Sequence, residues 1–350
     1  MHITTIGLDL AKSVFQVHCV DATGQVVVNK AIRRGQVLAF FAKLDPCLVG
    51  MEACATAHHW ARELIKLGHE VRLIPPAYVK PYVRRGKNDA ADAAAICEAV
   101  GRPSMRFVPV KPVENQAALM AHRSRDLLIG QRTRLINALR AHLAELGLVA
   151  AQGREGLAKL IGFVAAEGGE ALPPNARAAL IPLVRQLQSL QQEIGALDKI
   201  IQVQHRASKE SMRLATIPGI GPLIATAITA TVTDPSAFKS GRDLAAWIGL
   251  VPRQNSSGGK ARLGGISKQG DRYLRKLLVV GASAVVRQAR SNPGKYPWIA
   301  QLLARRPAKV VAVALANRTA RIAWAVLARG ETYRAPECSA SPAGGSAMGA

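Results

Sequence analysis

Residues 3–32 read ITTIGLDLAKSVFQVHCVDATGQVVVNKAI, and they give the clearest indication of the fold in the N-terminal part of the chain. Apolar and polar residues alternate in three short runs, at 3–10, 14–21 and 25–32, and Ala22-Thr23-Gly24 is a turn between the second run and the third. Alternation with a period of two is typical of strands that bury one face. The stretch therefore predicts a three-stranded β-meander.

Strands and helices alternate after this meander. An apolar run at 47–51 leads into ATAHHWARELIKLGHE (55–70), whose apolar residues have helical spacing, and VRLIPP (71–76) returns to a strand pattern. The resulting order, βββαβα, is that of a ribonuclease-H-like domain that ends near residue 110. We expect this α/β domain to occupy residues 1–112.

The rest of the chain has the periodicity of helices. Residues 113–148 and 176–207 carry apolar side chains at helical spacing, and they predict two long helices that form a hairpin or coiled coil within 113–207. A compact helical pattern follows at 208–334, and the stretch 335–350 has the composition of a disordered tail. The predicted fold class is thus α/β plus all-α.

The charge of the chain indicates what it binds. Its 350 residues are 49% hydrophobic, enough for packed cores, yet 47 Lys and Arg stand against 23 Asp and Glu, a formal net charge of +24. Cations placed near phosphates release condensed counterions, so nucleic acid is the expected partner. We find neither an uninterrupted run of 18 apolar residues nor a lipidation signal, and we expect no membrane attachment.

The N-terminus and the cysteines indicate the compartment. The first residues, MHITTIGLDLAKS, lack a basic segment and place Asp9 inside their apolar run, so we expect a cytoplasmic protein without a secretory signal. The five cysteines are odd in number, scattered and without a CxxC pair, which favours reduced structural thiols over a disulfide framework or a zinc site. They are Cys19, Cys47, Cys54, Cys97 and Cys338.

Four acidic residues stand out within the α/β part. Asp9 lies in the apolar first strand and Glu52 follows the apolar run 48–51, so two carboxylates are expected at neighbouring strand ends. Asp89 and Asp92 are three apart on an alanine-rich helix, which places both on one face. Asp89 alone could simply be a residue favoured at a helix N-terminus. The four together are more specific, because buried carboxylates are costly unless they are paired or bind a cation.

Such a set of oxygen ligands suits Mg²⁺ or Mn²⁺, and a pair of ions about 4 Å apart could act on a phosphodiester. Basic residues near the two aspartates could hold backbone phosphates; they are Lys80, Arg84, Arg85 and Lys87. His58 and His59 fall on the helix after Glu52, and we interpret them as structural, with a supporting role at the site as the alternative.

The segments GLDLAK, MEA and KNDAADA occur in this order, and they resemble those of the DEDD-type transposases of bacterial insertion sequences, whose first domain is RuvC-like. The resemblance extends to about residue 334. Ile217-Pro-Gly-Ile-Gly-Pro222, followed by an alanine-rich helix, looks like a helix-hairpin-helix element, in which backbone amides can bind a phosphate. A plain turn is the alternative there.

A second part of the resemblance is the glycine-rich segment within WIGLVPRQNSSGGKARLGGISKQGDRYLRKLL (247–278). Ser257 matches the position of the family's catalytic serine, with Ser256 directly before it as the alternative. A hydroxyl in a flexible loop beside cations could reach a phosphate, although an ordinary surface loop has the same composition. The candidate phosphate-binding cations of this region are Arg253, Lys260, Arg262, Lys268, Arg272 and Arg275.

The resemblance implies a recombinase that cuts and rejoins DNA to insert and excise its own element. It further implies a homo-oligomer, a dimer or tetramer, in which Ser257 acts with carboxylates of another subunit, and a structured bridge RNA that guides the reaction. A junction-resolving endonuclease is the runner-up and needs only the carboxylates. A non-enzymatic architectural protein is the third reading, and it leaves the four acids unexplained.

Overall fold

The structure is a computed structural model that describes residues 2–83, 88–165 and 172–335. The chain divides into two compact units, Met1–Val113 and Glu114–Ala350. The first unit contains a five-stranded sheet and the second is mostly helical. This combination confirms the predicted fold class. Of the predicted tail at 335–350, residues 336–350 lie outside the described residues.

The N-terminal unit is built around one mixed sheet. In chain order its strands and helices are β1 (Thr5–Asp9), β2 (Val14–Val20), β3 (Val26–Arg33), α1 (Val37–Phe41), β4 (Leu48–Glu52), α2 (Ala57–Lys66), β5 (Glu70–Ile74), α3 (Pro76–Val79) and α4 (Asp89–Val100). The strand order is β3-β2-β1-β4-β5. The predicted meander β1–β3 is antiparallel, whereas β4 and β5 are parallel to β1.

The two faces of this sheet bury different side chains. Ile6 and Leu8 of β1 pack with residues of α1 and α2 in one core. On the other face, Ile74 packs with α4 residues such as Ile96 and Val100. Successive strand residues point to opposite faces. Because Ile6 and Leu8 face the first core, Gly7 and Asp9 face α4. This alternation is what directs Asp9 toward α4.

Two glycines let α4 lie directly on the sheet. Gly7 of β1 and Gly50 of β4 are paired across the two strands. A Cβ atom on Gly7 would lie 2.0 Å from the carbonyl oxygen of Ala93, and one on Gly50 would lie 2.7 Å from Cβ of Val100. Any larger residue would lift the helix off the strands.

The C-terminal unit is almost entirely helical. In chain order its elements are α5 (Val113–Glu145), α6 (Arg154–Ala165), α7 (Pro174–Ala207), α8 (Lys209–Leu214), α9 (Pro222–Thr231), α10 (Gly241–Ile248), β6 (Pro252–Gln254), β7 (Leu263–Ile266), α11 (Arg272–Ser291), α12 (Pro297–Leu303) and α13 (Ala308–Arg329). α5 and α7 are the two predicted long helices. The additional helix α6 occupies the expected break between them, because Leu160 and Val164 pack against Leu139, Leu143 and Leu187.

Helices α8 to α13 share a second core. α8 and α9 form the predicted helical hairpin; its turn includes Gly219, whose φ of +87° favours glycine, and packs against Gly281 of α11. Of the described helices, α13 is long and apolar enough to cross a membrane. It packs here as a core helix, since Val311, Leu315 and Ala323 are buried in this core.

Candidate active site

The carboxylates lie at the edge of the sheet where β1 and β4 end. Asp9 and Glu52 are the last residues of these two neighbouring parallel strands. Each follows a glycine two positions earlier, Gly7 or Gly50, so each carboxylate lies on the face that packs against α4. The close approach of α4, which those glycines permit, then brings the start of the helix over both strand ends.

The first turn of α4 supplies the other two acids. Asn88 is the N-cap, and its side-chain oxygen accepts a hydrogen bond of 2.7 Å from the backbone N–H of Ala91. This cap fixes where the helix begins, and it places Asp89 and Asp92 in the first turn. Negative side chains are favoured there by the helix dipole.

Three of the four acids converge. Asp9, Asp89 and Asp92 each offer a carboxylate oxygen, and these oxygens lie within 4.8 Å of one another. Glu52 lies beside them and lines a cleft of about 570 Å³ together with Asp92 and Lys80. Burial raises the pKa of Asp9 to about 6, and repulsion from Asp92, Asp89 and Glu52 adds to the effect. Burial, followed by repulsion from Asp92, also raises the pKa of Glu52.

This arrangement fits a divalent cation. Carboxylate oxygens are the ligands that Mg²⁺ and Mn²⁺ prefer, and a cation among them would offset the mutual repulsion that raises the pKa of Asp9. Lys80 lies in the same cleft as the acids. Arg84, Arg85 and Lys87, predicted as phosphate contacts, lie outside the described residues.

The two histidines lie away from this cluster, on α2, which packs on the opposite face of the sheet from α4. Nδ1 of His58 accepts a hydrogen bond of 3.2 Å from the backbone N–H of Lys111, and His59 packs edge-on against Trp60. Both contacts support the structural interpretation of these histidines, which stays a prediction.

The glycine-rich segment is a β-hairpin, where the sequence had indicated a flexible loop. β6 and β7 pair antiparallel, and the hairpin narrows to a tight turn at Ser257-Gly258-Gly259-Lys260. The backbone N–H of Lys260 donates to the carbonyl oxygen of Ser257 at 3.0 Å. Gly258 and Gly259 have φ of +55° and +75°, as a type I′ turn requires.

The two candidate serines differ in their contacts. The hydroxyl oxygen of Ser256 accepts a hydrogen bond of 3.1 Å from the backbone N–H of Arg262, across the hairpin. The hydroxyl of Ser257 has no hydrogen-bond partner among residues 2–83, 88–165 and 172–335. Ser257 thus presents a free hydroxyl at an exposed turn.

Most of the predicted cations of this region are exposed around the hairpin; they are Arg253, Lys260, Arg262, Lys268 and Arg272. Arg275 differs, because its Nη1 donates to the carbonyl oxygens of Ile248 and Gln269 at 2.6 and 2.7 Å. Its guanidinium therefore holds together the two ends of the segment that carries the hairpin.

Three residues that were not predicted as functional position the acids. Gly7 and Gly50 determine how closely α4 packs, and Asn88 determines where it starts. A signal for the glycines was present, since Gly-x-Asp and Gly-x-Glu occur at the ends of two predicted strands.

Comparison with known proteins identifies the family. Residues 6–147 match a family of DEDD transposases, and residues 211–296 match the transposase IS116/IS110/IS902 family. The chain is 52% identical over 336 residues to a probable family 20 transposase of Pseudomonas aeruginosa, with 95% of this chain and 99% of that protein covered.

Transposases named for their insertion sequences are also similar over nearly the whole chain. That of IS1328 from Yersinia enterocolitica is 41% identical, covering 95% of this chain and 99% of the relative, and that of IS1111A from Coxiella burnetii is 40% identical, covering 95% and 92%. The family matches also agree with the observed folds, since the DEDD transposase domain is RuvC-like. The chain therefore belongs to the IS116/IS110/IS902 family of insertion-sequence transposases.

Proposed function

We propose that this transposase cuts and rejoins DNA with two groups of residues: the carboxylates Asp9, Glu52, Asp89 and Asp92, which hold Mg²⁺ or Mn²⁺, and the hydroxyl of Ser257, which is the nucleophile. The convergence of Asp9, Asp89 and Asp92 within 4.8 Å carries the proposal. Carboxylates gathered this closely repel one another, and a bound cation offsets that repulsion.

The bound cations would supply charge stabilisation for a phosphodiester under attack. The chain's own residues have separate tasks. Asp9 and Glu52 present oxygens from rigid strand ends, while Asp89 and Asp92 present theirs from a capped helix start. Lys80 lines the cleft beside Glu52 and Asp92, where its ammonium group can hold a backbone phosphate.

The assignment of Ser257 is supported by its free hydroxyl at the tip of an exposed hairpin and by the family resemblance. In the proposed step Oγ of Ser257 forms a bond to phosphorus, the bond from phosphorus to one deoxyribose oxygen breaks, and that oxygen leaves with a proton. Attack by a deoxyribose hydroxyl on the serine ester reverses the step and reseals a strand without a high-energy cofactor.

No acidic residue lies between Pro252 and Gly270, so the hairpin carries no carboxylate base for the serine. We propose that Ser257 acts with the carboxylates of another copy of the chain, in a homodimer or tetramer. Chemical cross-linking tests whether copies of the chain associate, and mixing two inactive variants tests whether the copies share an active site. Mixing an Asp92→Asn protein with a Ser257→Ala protein should restore activity if the active site is shared between copies. If each copy contains a complete active site of its own, the mixture stays inactive.

Trapping the intermediate tests the nucleophile. Denaturing the protein during reaction with its element ends should preserve a protein–DNA species, and peptide mapping should locate the DNA on Ser257. A linkage on Ser256 would move the assignment by one residue. Full DNA cleavage by a Ser257→Ala protein, without any covalent species, would instead favour a junction-resolving nuclease.

We also propose that a structured RNA guides target choice and that the protein acts in the cytoplasm. The charge of +24 supports nucleic-acid binding, and the family resemblance supports the RNA guide. Sequencing RNA extracted from the purified protein should show enrichment of a noncoding segment beside its gene. Recovery of random cellular RNA alone would contradict a dedicated guide.

A further inference from the structure

A row of arginines follows one side of α13 and continues past its end. Arg318, Arg321 and Arg329 are spaced so that they share a helix face, and Arg334 follows five residues after Arg329. The four line a groove of about 470 Å³, which we call the α13 groove. None of them belongs to the cations that the sequence pattern had indicated.

The wall opposite the helix is formed by the chain after α13. Gly330, with φ of +70°, ends the helix in the left-handed conformation and turns the chain back along it. The backbone N–H of Tyr333 donates to the hydroxyl of Thr216 at 3.0 Å, and that hydroxyl donates to the carbonyl oxygen of Arg213 at 2.6 Å. These hydrogen bonds attach the wall to the end of α8, so they fix the position of the wall relative to α13.

One end of the groove is ordered by an aromatic contact. The guanidinium of Arg318 lies 4.7 Å from the ring centre of Trp298 on α12. A cation over an aromatic face is held in orientation while its N–H groups remain available at the rim. Ile322 and Ala325 lie between the arginines, and they line the groove with apolar atoms.

The α13 groove is electrostatically unbalanced. Across the described parts of the chain, none of its four arginines makes an ion pair, and a single acid, Glu331, lines it. Like charges gathered in one groove repel each other, and a polyanion relieves this repulsion. From residue 318 to 329 the helix advances about 16 Å, a distance that spans several phosphates of a nucleic-acid strand and exceeds any single small anion.

We propose that the α13 groove binds the phosphodiester backbone of a nucleic acid, as a contact surface separate from the carboxylates and from the Ser257 hairpin. This inference rests on the proposed function only in that the chain acts on nucleic acid. Arginine suits the task, because its planar fork can donate two parallel hydrogen bonds to one phosphate. Contacts of this kind position the nucleic acid without reading its sequence.

The test replaces the four groove arginines together by glutamine: Arg318→Gln, Arg321→Gln, Arg329→Gln and Arg334→Gln. The matched control removes the same charge from four exposed cations outside the groove: Arg290→Gln, Arg305→Gln, Arg306→Gln and Lys309→Gln. Both full-length proteins are titrated against a short duplex DNA and a single-stranded RNA of arbitrary sequence over a series of salt concentrations. Comparing them separates local contacts from the loss of net charge.

We expect the groove variant to bind at least one probe roughly tenfold or more weakly than the control does. Its slope of log affinity against log salt should be shallower by about 2 to 4, since each lost phosphate contact removes about 0.9. Loss with the DNA probe, the RNA probe or both identifies the source of the backbone. Equal affinities and slopes for the groove and control variants with both probes would overturn the proposal.

One further protein tests whether the loss comes from charge. A variant with lysine at the four groove positions keeps the charge, and it should recover most of the affinity, because ammonium groups also attract phosphates. The probes have an arbitrary sequence and the readout is affinity alone, so the measurement requires no strand cleavage by Ser257. A failure of the serine assignment is therefore distinguishable from a failure of the groove assignment.

Discussion

The carboxylate cluster and the Ser257 hairpin are built in opposite ways. The acids rest on two strand ends and a helix that bury the core of the N-terminal unit, and their positions depend on glycines that touch that core. The serine stands on a two-stranded hairpin in which every residue of β6 is exposed, and its position depends on a turn of two glycines. One region is positioned by packing and the other by local backbone chemistry, and this contrast can be tested.

The largest effect should come from the proposed nucleophile. If Ser257 attacks the phosphodiester as proposed, Ser257→Ala removes the attacking oxygen, and strand exchange should fall by at least about ten-thousandfold, the size of effect seen when an enzyme loses its nucleophile. Ser256→Ala is the matched control, since it removes only a hydroxyl that accepts a bond within the hairpin. Rates are measured with element-end DNA. Equal losses of activity in the two serine variants would show that the hairpin tolerates neither substitution. That result would contradict a specific role for the Ser257 hydroxyl.

The carboxylate cluster should give the next largest effect. Asp92→Asn removes a proposed cation ligand, and we expect strand exchange to fall about a hundredfold or more, because charge stabilisation at such sites contributes several kcal/mol. DNA affinity should change little. The exposed Asp45→Asn serves as control. Adding Mg²⁺ should raise the melting temperature of the unaltered protein and not that of Asp92→Asn, because the ion binds the folded state.

Glycine replacements test the contrast directly, beginning with the packed region. Gly7→Ala places a methyl group 2.0 Å from the carbonyl oxygen of Ala93, so α4 must move. Overpacking of this kind costs about 1 to 3 kcal/mol of unfolding free energy, and displacement of the acids should reduce activity as well. Gly35→Ala is the control, since no atom lies within 4 Å of its Cβ position. Denaturant unfolding measures both; a fully stable and active Gly7→Ala protein would contradict the packing account.

The unit that carries the serine should also respond to pH. His122 is buried, with its ring nitrogens 3.1 Å from the hydroxyls of Tyr273 and Thr226, and burial lowers its pKa from 6.5 to about 4. Between pH 6.5 and 4, His122 is therefore protonated in the unfolded chain and neutral in the folded chain. The contribution of neutral His122 to the free energy of unfolding is fully present above pH 6.5, and up to about 3 kcal/mol is lost as the pH drops toward 4.

Chemical unfolding at several pH values measures this loss. His122→Gln should remove most of the slope between pH 6.5 and 4, whereas His142→Gln, on the exposed part of the same helix, should keep it. An unchanged slope in His122→Gln would assign the pH dependence to other groups.

The smallest effect should come from the turn. Gly258→Ala meets no atom within 4 Å, and its cost is the strain of a φ of +55°, about 1 kcal/mol. The strain is confined to an exposed hairpin, so the melting temperature should hardly change while strand exchange decreases modestly. A drop in global stability as large as that of Gly7→Ala would erase the distinction between the two regions.

Residue types and spacing anticipated the elements that carry the acids. The three strands, the end of β4 and the two long helices were predictable because alternation and helical periodicity reflect burial of one face. The hairpin at β6 and β7 was interpreted as a loop, because its strands have no buried face and so carry no alternation. Helix α6 was not predicted, because its apolar pattern is short and lies among glycines and prolines.

The amino-acid sequence indicates the class of chemistry: four acids on predicted strand ends and one helix turn, a serine beside glycines, and a large positive charge. The packing of strands and helices determines which of these side chains meet. It brought Asp9 to Asp89 and Asp92 across some 80 residues of chain, left the Ser257 hydroxyl free while engaging Ser256, and gathered four arginines along α13. This difference arises because residue type reflects local burial and charge, whereas distances between remote side chains follow from how closely elements pack, here from two glycines beneath one helix.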